Sequence, residues 1–438
     1  MATIAHRSAS SSATLAMTWG ILLVVAVVPL LVDLSNLDDT YYGLKARTLL
    51  GLAAVAALGL VGQHEIRSAL LRDAGPVLAF GAAATAATVL SIDPRLALWG
   101  SSWRHEGLLV FLAYLVVCVA SSELVRRRLR LWAGALLGSG GAMAVYGIAQ
   151  YFGAELIIRD PLRADWVAAF ATTGHSNYFG ALMVLVLPFA VAACLVARNR
   201  TKTAAAGLMS LVISLAVLCS FSRAAWGGAL VAAGLMTVLV SRRLTGSPVR
   251  RGAVLLGLAL AMTVVFGLPG GPLAPRDGSS FLAEAGTVTR IDSNRVADRL
   301  YLWGQTARLV IRRPVFGYGP DTFAAVLSQE WDERRRQLWG RTPRIIDKAH
   351  NDTLDMLMSF GVVGLLAYWG ILAAAFRSAA RVIRSGGERV PWAIAGVCGL
   401  AGYLVALQFG FSVVSVAPVF WSVLGAMIGL SRPSRGAP

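Results

Sequence analysis

Long apolar segments recur along almost the whole chain, and they constrain its fold more than any other feature. A membrane-spanning helix needs about 20 mostly apolar residues, within a range of about 17 to 25. Twelve segments approach this length, at 16–33, 48–63, 74–91, 107–122, 131–151, 178–197, 204–221, 225–241, 252–268, 353–376, 391–411 and 416–431. Backbone amides inside a bilayer must pair within their own segment, which favours helices. We therefore predict an all-α polytopic membrane protein with about 12 transmembrane helices.

Composition and charge distribution agree with a membrane protein. The chain is 56% hydrophobic and 14% charged, with a mean hydropathy of +0.65. Its net charge of +17 could suggest nucleic acid, but the charge is segregated. If the N-terminus is inside, the inner segments hold half of the 40 basic residues and only four of the 23 acidic ones. This asymmetry predicts cytoplasmic termini and contact with anionic membrane lipids, and it argues against a nucleic-acid partner.

The four cysteines all fall inside predicted spans, at positions 118, 194, 219 and 398. Their spacing does not suit a metal site, and none lies in an outer loop where a disulfide would form. We expect them to act as small apolar side chains.

One long polar segment, 269–349, interrupts the apolar pattern and divides the chain. Residues 1–268 are expected to form transmembrane helices 1–9. Residues 269–349 form a large extracytoplasmic loop that contains short amphipathic helices. Residues 350–438 then supply transmembrane helices 10–12 and the cytoplasmic C-terminus.

Within the long loop, apolar residues recur at spacings of three and four from Val296 to Val310. This period predicts an amphipathic helix, with Asp292 or Ser293 as its N-cap and Pro314 as its end. A second short helix is expected at 321–337.

The polar residues are concentrated in the outer segments, whereas the predicted spans are nearly free of charge. The outer set comprises Arg104, His105, Glu106, Arg163, His175, Asn177, Arg223, Arg295, Arg299, Asp321, Lys348, His350, Asn351 and Asp352. Transporters usually carry ionisable residues in mid-membrane. This distribution instead favours chemistry on a lipid-linked substrate at the membrane surface.

Two arginines in this set are candidate phosphate ligands. Arg223 lies in a very short turn between two spans, and Arg299 lies on the amphipathic helix among apolar neighbours. A guanidinium group matches a phosphate with two parallel hydrogen bonds. The simpler alternatives are a snorkelling interfacial arginine for Arg223 and a solvated helix face for Arg299 and Arg295.

His350 is the candidate general base, because it stands at the entrance to a predicted span between Lys348 and Asn351. A histidine with an ordinary pKa near 6.5 can accept a proton from a hydroxyl group at neutral pH. His175 and His105 are rival candidates, and a satisfied interfacial histidine is the simpler alternative. The predicted substrate-binding residues are Arg104, His175, Asn177, Arg295, Asp321, Lys348 and Asn351.

No cofactor or metal ion is expected. Arginines can stabilise a departing diphosphate without a divalent cation. The outer loops contain no Asp-x-Asp motif, and Asp38-Asp39 and Asp332-Glu333 are only weak alternatives.

Five stretches over residues 99–376 resemble the O-antigen ligase and polymerase superfamily of bacterial membrane glycosyltransferases. They read GSSWRHEGLLVFL, TTGHSNYFGALMVLVLPF, CSFSRAAW, RLYLWGQTARLVIRRPVFGYGPDTF and KAHNDTLDMLMSFGVVGLLAYW. The resemblance implies a helical fold of the glycosyltransferase C type and a glycan donor on undecaprenyl diphosphate. It also implies a metal-independent, inverting transfer. His350 matches the proposed catalytic histidine, and Arg223 and Arg299 match the arginines proposed to hold the diphosphate.

The acceptor stays open, because ligases, polymerases and protein glycosyltransferases share these motifs. We predict a ligase-like enzyme of the cytoplasmic membrane whose acceptor is a lipid, glycan or protein. A polymerase of the same fold is the alternative. A small-solute transporter for inorganic carbon and a scaffold of an envelope-assembly complex are the remaining possibilities.

Overall fold

The computed structural model describes residues 2–62, 75–157, 168–268, 271, 294–328 and 346–432, without the side chains of residues 2–10, 37 and 294–296. Within this part of the chain all regular structure is helical. The α-helices are α1 (Ala2–Ala26), α2 (Gly43–Val61), α3 (Gly75–Val89), α4 (Pro94–Trp99), α5 (Leu108–Tyr151), α6 (Ser176–Val196), α7 (Arg200–Cys219), α8 (Arg223–Arg243), α9 (Ser247–Gly267), α10 (Asn294–Arg312), α11 (Phe323–Leu327), α12 (Asp352–Ser385), α13 (Val390–Leu407) and α14 (Ala417–Leu430).

The predicted fold class, an all-α polytopic membrane protein, is confirmed. Nine of the described helices are long and apolar enough to cross a membrane, and α3 and α14 are shorter apolar helices. Helix α5 covers two predicted spans. Between them, at Arg128, its backbone leaves the helical conformation. Each predicted span thus has a helical counterpart, while the number twelve stays a prediction. The four cysteines are buried and unpaired, as expected.

Glycines allow the central helices to approach closely. A Cβ atom on Gly425 of α14 would lie 1.9 Å from the carbonyl oxygen of Cys118 in α5. Between α8 and α13, a Cβ atom on Gly228 would lie 2.3 Å from the carbonyl oxygen of Gly402. Helices inside membranes commonly pack through such small residues, since dispersion contacts drive their association.

The bundle has two ends, which we name by their residues. The histidine end carries His175 and His350. His175 directly precedes α6, and His350 directly precedes Asn351, the N-cap of α12. The arginine end carries Arg251 and Arg389, at the starts of α9 and α13. Helices α6, α8 and α12 begin at the histidine end, whereas α13 ends there.

Helix α10 is fastened to α12 through a break in α12 at Gly361. The backbone there has a φ of 65°, and a Cβ atom would lie 2.2 Å from the carbonyl oxygen of Val315, so only glycine fits. The break leaves backbone groups of α12 without helical partners, and the turn at 314–319 supplies them. Val362 N donates to Pro314 O at 2.8 Å, and Tyr318 N donates to Met358 O at 2.8 Å.

The predicted amphipathic helix is confirmed as α10, which ends two residues before Pro314. The predicted caps, Asp292 and Ser293, lie outside the described residues. Of the second predicted helix at 321–337, the described part contains α11 only, and residues 329–337 lie outside the description.

Candidate functional site

His350 lies in the loop directly before α12, where Asn351 caps the helix. Asn351 Oδ1 accepts a hydrogen bond from Leu354 N at 3.1 Å, and its Nδ2 donates to Gln408 O at 3.0 Å. His350 has a φ of 55°, in the left-handed region. Its ring centroid lies 5.1 Å from that of Phe411, which follows α13. Asn351 therefore fixes the start of α12 and ties it to the end of α13.

Arg104, from the loop before α5, shares the Phe411 ring with His350. Its Cζ lies 5.1 Å from the centroid of Phe411 and 5.2 Å from that of Tyr42, so the guanidinium stacks on both rings. Its Nε donates to the carboxylate of Asp347. These contacts bring Arg104 and His350, which are far apart in the sequence, onto one aromatic surface.

The charge of Arg299 also acts on His350. The pKa of His350 falls to about 4, first because the ring is buried and second because Arg299 opposes its protonation. Asp347 raises this pKa, and Arg104 lowers it further. The imidazole is consequently neutral at pH 7 and can accept a proton. His350, Arg299, Arg104 and Asp347 form one group, which we call the histidine cluster.

His175 and Asn177 adjoin this cluster at the start of α6. Asn177 N donates to His175 Nδ1 at 3.1 Å, so a neutral His175 carries its proton on Nε2. The His175 ring lies 5.4 Å from Tyr178, and Tyr178 lies 5.3 Å from Phe411. Tyr178 is thus the link between His175 and the cluster.

Arg223 is the first residue of α8, and Ser222 caps this helix by accepting from Ala225 N at 3.3 Å. Helix α8 packs against α13 at Gly228, and α13 runs on to Gln408 beside Asn351. Arg223 therefore lies at the same end of the bundle as His350. Arg295 belongs to α10, but its side chain is outside the description.

A second, buried group of charges lies behind the histidine cluster. Lys348 Nζ lies 3.5 Å from Glu106 Oε2. Burial lowers the pKa of Lys348, but Glu106 and Asp321 raise it by more, so that it lies above its ordinary value. Burial raises the pKa of Glu106 to about 7, against the opposing effect of Lys348. Lys348 is therefore held charged inside the protein.

Asp321 joins two loops from its buried position. Its Oδ2 accepts hydrogen bonds from Ser101 N at 2.6 Å, Ser101 Oγ at 2.8 Å and Glu106 N at 3.3 Å. These bonds anchor the loop that carries Arg104. The predicted substrate contacts of Asp321, Asn351 and Lys348 stay predictions.

The buried charges face a small, partly open cavity. The lining includes Glu106, Lys348, Asp352, Asp355, Ser359, Ser412, Tyr114, Tyr368, Phe411 and Trp421. Phe411 lines the cavity and also contacts His350 and Arg104 of the histidine cluster, so the two regions are adjacent.

Sequence reasoning missed three members of the site, namely Asp347, Tyr178 and Phe411. Asp347 is next to Lys348, and this proximity could have drawn attention to it. Phe411 lies at the edge of an apolar segment, where a phenylalanine is unremarkable, and nothing local indicates its contacts. Tyr178 follows the predicted Asn177 and gives no further signal.

A comparison with protein families matches residues 208–369 to the O-antigen ligase family. No curated protein matches the chain. The matched segment contains Arg223, Arg299, Asp321, Lys348, His350 and Asn351, and it excludes Arg104, His175 and Asn177. At a coarse level the match supports a membrane enzyme of the ligase or polymerase kind. It confirms that this chain resembles the O-antigen ligase superfamily, over the part from α7 into α12.

Proposed function

We propose that this protein transfers a glycan from a polyprenyl diphosphate to a hydroxyl group of a surface acceptor. The observation that carries the proposal is a partly buried imidazole at the entrance to α12 that lies on the ring of Phe411 beside Arg104 and is influenced by the charge of Arg299. His350 and Arg299 come from separate elements, and the charge of Arg299 acts on His350. Both residues lie in the segment that matches the O-antigen ligase family.

In the proposed reaction, His350 removes the proton of the acceptor hydroxyl as its oxygen attacks the anomeric carbon. The bond from this carbon to the diphosphate oxygen breaks, and its electron pair leaves with the polyprenyl diphosphate. A single displacement of this kind inverts the anomeric configuration. Proton transfer by a positioned base contributes about 100-fold to 10,000-fold to such a step.

Arg299 and Arg223 stabilise the departing diphosphate. Negative charge grows on the leaving oxygen, and preorganised cations near that position lower the barrier without a metal ion. The same negative charge offsets the arginines around His350, so donor binding raises the pKa of the imidazole and makes it a stronger base. Arg104, His175, Asn177 and Arg295 are proposed to contact the donor or acceptor sugar.

The proposed reaction takes place on the extracytoplasmic side, at the histidine end, with both termini in the cytoplasm. The distribution of arginines supports this orientation, because the opposite end carries the clusters that the positive-inside rule assigns to the cytoplasm. The acceptor is a lipid, glycan or protein.

A polymerase of the same fold is the second candidate, since it would use the same donor and the same base. A transporter is less well supported by the positions of the buried charges. Among the described spans, these are Lys45, Glu123, Arg126, Asp352 and Asp355. All five lie near a helix start or near the break in α5, whereas an ion pathway needs ionisable groups in mid-membrane.

The test is an assay of the purified protein with a defined polyprenyl-diphosphate glycan, with and without a chelator, followed by mass analysis of the product. His350→Ala should lower the transfer rate by about 100-fold or more. His105→Ala is the matched control. His105 lies at the same end, also has a left-handed φ of 58°, and pairs with Asp39 at 2.8 Å.

The His105 variant should keep most of the wild-type rate. Wild-type product from His350→Ala, or loss of transfer with the chelator, would contradict the proposal. Chain elongation would identify a polymerase, and attachment to a different lipid or a protein would identify a ligase.

A further inference from the structure

Two hydrogen bonds hold the backbone of Ala349, the residue directly before His350. Ala349 N donates to Asp355 Oδ1 at 2.7 Å, and Ala349 O accepts from Trp303 Nε1 at 3.1 Å. Ala349 itself is completely buried. A left-handed backbone such as that of His350 is unfavourable for most residues and persists where the surrounding structure holds it. The two bonds to Ala349 provide such a hold.

Trp303 also connects His350 to the helix that carries Arg299. Trp303 and Arg299 lie four positions apart on α10, which corresponds to a rise of about 6 Å along the helix. The far end of α10 is fixed to α12 by the turn at 314–319 and the break at Gly361. Trp303 is therefore a further attachment of α10 to the α12 region, about one helical turn from Arg299, in addition to the apolar packing of Leu302 and Leu309 in one cluster with Met358.

We propose that Trp303 and Asp355 are positioning residues, which set the separation between the guanidinium of Arg299 and the imidazole of His350. This inference rests on the proposed function. Neither residue needs to touch substrate, because each acts through the Ala349 peptide. A displacement of about 1 Å in a catalytic group can lower a rate by about 100-fold, so a lost attachment has a measurable effect.

The pH profile reports this separation. The charged neighbours of His350 are Arg299 from α10, Asp347 from its own loop and Arg104 from the loop before α5. Phe411, which packs on the ring, is uncharged. If Arg299 moves away, the pKa of His350 rises towards its ordinary value. The acid limb of kcat/KM, which follows the free enzyme, then moves to higher pH.

The first test is Trp303→Phe, which keeps an aromatic ring near Phe409 and removes the N–H donor. We expect kcat to fall by about tenfold or more and the acid limb to move to higher pH. The matched control is Trp132→Phe in α5. This change removes the hydrogen bond that the buried Trp132 Nε1 donates to Ser422 Oγ at 2.9 Å. It should leave kcat and the acid limb unchanged. An unchanged kcat, or a lower kcat with an unchanged acid limb, in Trp303→Phe would overturn the inference.

The second test compares Asp355→Asn with Asp355→Ala. Asparagine keeps an oxygen that can accept from Ala349 N, and alanine does not. We expect the asparagine variant to keep most of the rate and the alanine variant to lose about tenfold or more. Equal losses in both variants, or none in either, would overturn the role of Asp355 as an anchor of the peptide.

His350→Ala, measured in parallel, separates the two proposals. If this variant is active, the proposed function fails. If it is inactive while Trp303→Phe and Asp355→Ala behave as wild type, the proposed function stands and the positioning inference fails.

Discussion

The two ends of the bundle are both rich in arginine, yet they use it differently. At the arginine end, Arg389 donates to the carbonyl oxygens of Leu430 at 3.0 Å, Arg432 at 3.1 Å and Arg126 at 3.2 Å. At the histidine end, Arg104 stacks on aromatic rings and pairs with Asp347, and the charge of Arg299 acts on His350. Arg389 at the arginine end therefore binds backbone carbonyl groups, whereas Arg104 and Arg299 at the histidine end place charge around an imidazole.

At the arginine end, arginines stabilise the C-termini of helices. Helices α6 and α14 finish at the arginine end, where their last carbonyls lack helical partners and attract cations. Arg251, for example, donates from α9 to Ala197 O at 2.8 Å, directly after α6. At the histidine end several helices begin, and side chains such as Asn351 cap them. Arg313 also donates to Leu90 O at 3.2 Å there, directly after α3, whereas Arg104 pairs with a carboxylate and stacks on aromatic rings.

The comparison predicts its largest effect for Arg299→Gln at the histidine end. Under the proposed function, this change should lower transfer by about 100-fold or more, because the leaving diphosphate would lose a cation. It should also move the acid limb of kcat/KM to higher pH, since Arg299 lowers the pKa of His350. The matched control, Arg308→Gln, alters an exposed arginine on the same helix and should leave both quantities unchanged. If Arg308→Gln matched Arg299→Gln, the assignment to Arg299 would be wrong.

The next effect is expected at the arginine end, in stability and not in chemistry. Arg389→Met keeps an unbranched apolar side chain and removes three charged hydrogen bonds to carbonyl oxygens. It should destabilise the protein by about 2 kcal/mol or more. Thermal unfolding of the purified protein measures this loss, and the activity per folded molecule should equal that of wild type. Normal stability with low activity in Arg389→Met would contradict a purely structural role for this arginine.

The smallest effect is expected for Arg198→Gln, also at the arginine end. Arg198 pairs with Glu388 at 2.6 Å, but their side chains are 79% and 76% exposed. Exposed ion pairs contribute less than about 1 kcal/mol. The melting temperature should therefore change far less than in Arg389→Met. An equal change would mean that exposed ion pairs, rather than carbonyl contacts, stabilise this end.

Local patterns predicted the helices well and the site only in part. The apolar runs anticipated each described membrane helix, and spacings of three and four anticipated α10. Both signals act over a few turns, which is why one sequence suffices to read them. His350 is a candidate because it stands at the entrance to a predicted span, and Arg299 because it has apolar neighbours on the amphipathic helix. That Arg104 shares a ring with His350 depends on Phe411, which gives no local signal.

The sequence by itself determined that this chain is a helical membrane protein, that its basic residues are segregated and that an amphipathic helix precedes Pro314. Hydropathy and helical period carry this information, because both are properties of neighbouring residues. Only the tertiary structure decided that α12 breaks at Gly361 and there forms hydrogen bonds with the turn at 314–319. It also decided that Trp303 and Asp355 form hydrogen bonds with the backbone of Ala349, directly before His350. The bond from Trp303 spans 46 positions of the sequence. The packing of the helices creates such contacts, and no local pattern specifies them.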